Sequence, residues 1–302
     1  MINEYAVEPA AVNNWQNFRY IMDQVGVEHG RLISRFPAKW ARMVIEACGA
    51  NSLLRDIERL KIMEKLKNLE RKMVKSNRSY DPSKKWLTNA EEQHQSTPFH
   101  AIVVEANKNN AAYAAAIDEI DDSHPLWAAE KAKIVPRKAY DLALCARMLL
   151  NISREILIID PHFRSYEPRF RSTISHMLAY AFEEKQPARV EIHVETKGQD
   201  QEWWRNSCQV DLSPFIPEGL NIAVFRWQAK SGGDKLHARY VMTEHGCIDY
   251  NYGLDEGENE GQTTNVAILP RSLYDQRWRD YQIETAVFDI VDKINVFGKK
   301  EN

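Results

Sequence analysis

Three residues carry the chemistry this chain could perform: His237, Arg239 and Glu244. They sit in the run Lys235-Leu236-His237-Ala238-Arg239-Tyr240-Val241-Met242-Thr243-Glu244. Apolar and polar positions alternate there, which predicts a strand, and residues i and i+2 of a strand project from one face. His237 and Arg239 therefore share a face, while Leu236, Ala238 and Tyr240 share the other. An imidazole can attack as a nucleophile or carry a proton. A guanidinium beside it can hold two oxygens of a phosphate at once. The pair suits phosphate chemistry; the alternative is a surface strand with two ordinary polar side chains.

Such a pair needs a scaffold, and from Pro136 onward helical and strand patterns alternate. Pro136 is expected to open a helix that carries Ala139, Leu142, Ala146 and Leu149. Ile156-Leu157-Ile158-Ile159 is a continuous apolar run, as in a strand buried on both faces, and it ends in Asp160-Pro161-His162-Phe163. A helix is expected over about 169–183, then a strand at 189–194, a helix or turn near 201–207 and a strand at 220–225. The hairpin 236–252, a strand at 264–269 and a final helix over roughly 273–295 complete the pattern. Residues 96–302 are thus expected to form an α/β domain, a mixed sheet flanked by helices. Ligands of α/β sheets gather at strand carboxyl ends, so His162 is a candidate site residue. Asp160 is either another or a hydrogen-bond anchor for the His237 strand. His193 reads as structural. Trp203 and Trp204 could stack on bases or fill the core.

Residues 1–95 are expected to be mainly helical, with Asn13 or Asn14 capping a first helix from Trp15, a second near 40–49 and a third over 52–75. Ser76 to Gln95 reads as a linker, Phe99–Val104 as a short β run, and Lys108–Ala116 as helix. Between Arg31 and Lys85 fifteen Lys and Arg stand against six Asp and Glu. That excess reads either as an arm for nucleic acid or an acidic partner, or as a solvated helix face laced with ion pairs.

Composition narrows the rest. The net charge is −3, so gross charge does not advertise a polyanionic partner. No apolar run approaches the roughly 20 residues of a membrane span, and no secretory leader is visible at the start. The four cysteines are scattered without a CxxC pair, which fits reduced thiols in a cytoplasmic protein. His245 and Cys247 have no second ligand pair, so neither metal nor cofactor is expected.

With these motifs in view, residues 136–296 resemble one half of the phospholipase D superfamily. The strand ending Asp160-Pro161-His162-Phe163 is similar to the family's apolar strand ending in Asp-Pro-aromatic. His237-x-Arg239-x4-Glu244 aligns with its His-x-Lys-x4-Asp. The glycine turn at Gly253 and the strand carrying Asn265 complete the likeness. Gly253-Leu254-Asp255-Glu256-Gly257 is also similar to the phospholipase-D-like domain that follows a microtubule-interacting-and-transport domain in some proteins, which binds membranes.

The resemblance implies a metal-independent phosphodiesterase working through a phosphohistidine. His237 would be nucleophile or acid, Arg239 the phosphate clamp, and Glu244 would orient or balance the pair. Asp160, His162, Asp255 and Asn265 would bind substrate. The chain departs from the family with Arg for Lys, Glu for Asp, and one motif where catalysis needs two. The missing imidazole must come from a symmetric dimer that joins two His237 residues, or from His162. The expected function is a nuclease acting as a dimer in a bacterial multi-protein system of the phage-defence type. The alternative is a non-catalytic module that binds nucleic acid or lipid phosphate, or an assembly subunit.

Overall fold

A run of one alanine and three β-branched residues, Ala101-Ile102-Val103-Val104, decides where the first half of the chain ends. In the computed structural model, which describes residues 1–75, 78–183 and 185–299, this run is a strand paired in parallel with Asn3–Val7. The chain accordingly divides into two compact units, Met1–Glu130 and Lys131–Asn302, and the division falls beyond residue 95 because that strand belongs to the first sheet.

The first unit holds β1 (Asn3–Val7), β2 (Arg31–Ser34), β3 (Met73–Val74), β4 (Ala101–Val104) and β5 (Ala114–Ala116), all parallel, in the order β3-β2-β1-β4-β5. Helices α1 (Trp15–Gln24), α2 (Trp40–Ala50), α3 (Asp56–Leu66) and α4 (Trp86–Ser96) accompany them. Asn14 does cap α1: its Oδ1 accepts the Asn17 N–H at 2.9 Å. The unit thus has strands as well as the expected helices. Alternate strand residues feed two apolar clusters, Tyr5, Val7, Ile33 and Val103 in one and Ala6, Ile102 and Val104 in the other, as a sheet covered on both faces requires. Two expectations fail here. The stretch taken as a linker contains α4, and its Ser76 and Asn77 lie outside the described residues. Lys108–Ala116 is not helical: the Asn107 amide donates to the carbonyls of Ala111 and Ala114 and its oxygen accepts the Ala111 N–H. That side chain builds a turn in place of a helix.

The second unit runs β6 (Ala132–Pro136), α5 (Ala139–Ile152), β7 (Glu155–Ile159), α6 (Pro168–Phe182), β8 (Arg189–Glu195), α7 (Gln201–Leu212), β9 (Asn221–Ala229), β10 (Tyr240–Thr243), β11 (Gly246–Tyr250), β12 (Thr263–Ile268), α8 (Arg271–Asp280) and β13 (Phe288–Phe297). The eight strands form one mixed sheet in the order β13-β9-β8-β7-β10-β11-β12-β6. β7, β8 and β9 are parallel, and the other pairings are antiparallel. The helix expected to run to residue 295 stops at Asp280. Phe288-Asp-Ile-Val-Asp-Lys-Ile-Asn-Val-Phe297 is rich in β-branched residues and pairs along β9. On one face Leu157, Ile159, Phe225, Trp227, Tyr240 and Met242 pack with Tyr274 and Tyr281. On the other, α5 reaches the sheet where the Tyr250 hydroxyl donates to the Leu142 carbonyl at 2.9 Å.

The strand directions position the site. β10 is antiparallel to β7 with Tyr240 opposite Ile159, so the residues before β10 and those after β7 meet at one end of the sheet. β8, parallel to β7, ends there too.

Candidate functional site

That end of the sheet gathers Asp160 and His162 after β7, Lys197 after β8, His237 and Arg239 before β10, and Asp255 in the loop between β11 and β12. The regular strand begins only at Tyr240, four residues into the hairpin expected from the sequence. Leu236, Ala238 and Tyr240 all pack on the same apolar cluster, while His237 and Arg239 line a cavity of about 410 Å³ to which Ala238, Tyr240, Asp249 and Asp280 also contribute. His237 is exposed and Arg239 half-buried. The Arg239 Nε is itself shielded from water yet has no hydrogen-bond partner among the described residues, a donor in search of an acceptor.

Asp160 is 1% exposed and works as an anchor. Its Oδ1 accepts the His162 N–H at 2.8 Å and its Oδ2 the Leu254 N–H at 2.9 Å, so it ties the β11–β12 loop to the end of β7. Burial pushes its carboxyl pKa up, opposed by those two N–H donors and by the charge of Arg239. Asp255 is clamped from its other side, its Oδ2 lying 2.7 Å from Arg137 and 3.5 Å from Arg169. Gly253 lets the two carboxylates and the guanidinium approach: a Cβ there would lie 2.9 Å from Asp255 Oδ1, 3.3 Å from Asp160 Oδ2 and 4.0 Å from Arg239 Nε. Asp160, His162, Arg164, Arg169 and Asp255 line a second cavity of about 220 Å³.

His162 receives a hydrogen bond on Nδ1 from the Lys197 ammonium. Lysine has only protons to give, so Nδ1 must accept and the neutral ring carries its proton on Nε2. Burial lowers the His162 pKa, and the charges of Lys197, Arg239 and His237 lower it further. The ring is therefore neutral at pH 7.

Glu244 is not with this group. Its carboxylate accepts the Arg154 N–H at 2.6 Å and the Glu155 N–H at 3.0 Å, at the start of β7 and hence the opposite end of the sheet. An extended chain rises about 3.3 Å per residue, which separates the acid from the imidazole it was expected to orient. Asn265 is exposed on β12; its carbonyl accepts the Asn251 N–H at 3.1 Å, and it lines neither cavity. His193 is structural: fully buried, it stacks on Phe225 and Trp227 and bonds Glu191. The sequence does not single out Lys197, Arg137 or Arg169, and offers Arg164 only as the cation two residues after His162, with no acid at the family spacing. Lys197 follows β8 as His162 follows β7, so the strand-end rule that flagged one applies to the other.

Among the described residues no group of three or more His, Cys, Asp or Glu could hold a metal ion, and no helix is long and apolar enough to cross a membrane. The fold and site define an α/β protein with a histidine-bearing centre of mixed charge at one end of a mixed sheet. No protein-family model matches the chain, and no curated protein sequence does. Among solved structures, that of TrmBL2, an archaeal chromatin protein described with a novel mode of DNA binding, is similar at 14% identity over 51% of this chain and 53% of its own, with a TM-score of 0.27. The match spans about half of that protein, and so loose a likeness carries no argument about this chain.

Proposed function

We propose that residues 131–302 form a phospholipase-D-like phosphodiesterase that acts on nucleic acid. One observation carries the reading: at one end of the sheet His237 and Arg239 line one cavity and His162 lines another, the Arg239 Nε has no hydrogen-bond partner among the described residues, and the charges of Arg239 and His237 act on the His162 ring. A ring nitrogen of His237 attacks phosphorus, and the bond to the leaving oxygen breaks. That oxygen takes the Nε2 proton of His162, while Lys197 supplies a proton to Nδ1. Water then attacks the phosphohistidine, its proton returns through His162 to Lys197, and His237 is freed with a phosphate monoester as product. Arg239 holds the non-bridging oxygens, where charge accumulates. The second imidazole comes from the same chain, so a two-fold pairing of His237 residues is not needed for chemistry.

The test is turnover of DNA, RNA and a generic phosphodiester by the full chain, His237→Ala and His162→Ala. Loss of all turnover at His237 and a drop of about a hundredfold at His162 are expected. Equal rates in wild type and His237→Ala would end the proposal. A binding module is the rival, favoured by the placement of Glu244, which leaves the motif's own acid far from His237. It gains if wild type binds phosphodiesters through Arg239 and turns none over.

A further inference from the structure

Beside the phosphate end stand two exposed aromatic rings. Tyr166 is 39% and Trp203 47% exposed, whereas neighbouring Trp204 is buried. The two rings lie 5.2 Å apart with 64° between their planes, an edge-to-face corner in which both residues stay partly exposed. The backbone on both sides of the corner is fixed. Tyr166 follows β7 by way of Ser165, whose hydroxyl is 2.9 Å from that of Ser207 on α7. Trp203 lies in the first turn of α7, where Asp200 accepts its N–H at 2.9 Å.

Cations adjoin the corner. Arg164 and Lys197 line one cavity with Tyr166, Glu195 and the neutral His162, and His162 and Arg164 also line the Asp160–Asp255 cavity. Arg164 is ion-paired to Glu167 at 2.9 Å and interacts with the Tyr166 hydroxyl, and Lys197 stands 4.0 Å from Glu195. These acids hold the cations in place but leave both side chains partly accessible. A cationic path thus leads from the phosphate end to an aromatic corner. This is the pairing of charge for a backbone and ring face for a base that single strands use. A duplex keeps its base faces stacked and cannot offer them.

We propose that Tyr166 and Trp203 form a base-stacking subsite for single-stranded nucleic acid, with Arg164 and Lys197 on the adjoining phosphates. The inference rests on the phosphodiesterase reading of the neighbouring site, whose substrate class it narrows.

The test compares the full chain with Trp203→Ala and Trp203→Phe, with thermal melts confirming that both variants fold. Probes are a labelled single-stranded oligonucleotide, an abasic strand of the same length, and the duplex. Stacking of one base is worth enough to lower affinity for the single strand about tenfold or more in Trp203→Ala. Trp203→Phe should stay close to wild type, and the abasic strand should bind all three proteins alike. An equal loss on normal and abasic strands, no loss on either, a preference for duplex, or no strand binding at all would each overturn the subsite. Cleavage of a generic phosphodiester that depends on His237 would survive any of those results, so failure of the subsite and failure of the phosphodiesterase reading can be told apart.

Discussion

Replacing Gly253 by alanine should damage stability and site together, for separable reasons. Gly253 has φ of +115°, a backbone conformation that costs a residue with a side chain about 1–3 kcal/mol. Its new Cβ would also stand 2.9 Å from Asp255 Oδ1, closer than real Cβ contacts allow. The carboxylate cannot simply swing away, because its other oxygen is 2.7 Å from Arg137. Either that ion pair opens or the loop retreats, and the Leu254 N–H is pulled from Asp160. For a unit of this size each kcal/mol moves the melting temperature by about 2–4 °C, so a fall of about 2–12 °C is expected. A shift of about 1 Å at reacting groups costs roughly a hundredfold in rate. Gly261→Ala supplies the control: φ is +88° and a Cβ there meets nothing within 4 Å, so it carries backbone strain without touching the site. Melting curves and phosphodiester turnover for both variants decide the matter. If Gly253→Ala turns over like Gly261→Ala, the crowding of Asp160, Asp255 and Arg239 does not position the chemistry.

Other perturbations separate neighbouring roles. Glu244→Ala strips an acceptor from the N–H groups of Arg154 and Glu155 and should cost about 1–3 kcal/mol in a denaturant titration while leaving turnover near wild type; a hundredfold loss of turnover at unchanged stability would return Glu244 to the chemistry. Lys197→Met removes a cation that depresses the His162 pKa, so an NMR titration should find that ring protonating at higher pH than in wild type, and an unmoved titration refutes the contact. Glu191 is held at about 2 against an ordinary 4.5, because hydrogen bonds from His193 and Arg189 and the charge of Arg189 outweigh burial. At about 1.36 kcal/mol per tenfold in acidity that is worth about 3 kcal/mol, fully present above pH 4.5 and lost as pH falls toward 2. His193, its pKa lowered by burial, adds a loss that starts as pH drops below 6.5, where the unfolded chain takes up the proton first. Urea titrations should therefore show stability declining steadily with acid, and Glu191→Gln should flatten the lower part of that decline; parallel curves would contradict the assignment.

Much of the second unit could be read before any coordinates. The run Ile156–Ile159 is apolar throughout because β7 is buried on both faces, and Leu236, Ala238 and Tyr240 alternate because one side faces a core. These patterns are local, and local physics sets them. The basic residues around the site are a different matter. Arg137, Arg164 and Lys197 come from three separate connections and Arg169 from the first turn of α6, and they come near one another only when the whole sheet forms. No spacing along the chain records that meeting. The first unit hid its sheet for a related reason. β2 is four residues long and wholly buried, so it shows neither alternation nor a run long enough to stand out between helices. Around β13, Val287, Val291 and Ile294 also fit a helical stripe, and only pairing with β9 decides between the two periods.

Glu244 shows how spacing along the chain can suggest a role for an acid that the fold gives to a different task. It lies seven positions beyond His237, about 23 Å of extended chain, so an acid at that spacing cannot touch the imidazole while the strand between them stays straight. What the spacing does fit is the length of β7. Tyr240 lies opposite Ile159 and Thr243 opposite Ile156, and the next residue, Glu244, takes the N–H groups of Arg154 and Glu155. The carboxylate fastens one end of β10 at the entrance to β7, and this holds the other end, with Arg239 and His237, level with Asp160 and His162. A slip of one residue would turn the strand's side chains to the opposite face and carry the guanidinium away from the carboxylate beneath it. The acid therefore acts on the site through register, which is why its removal should be felt in stability first.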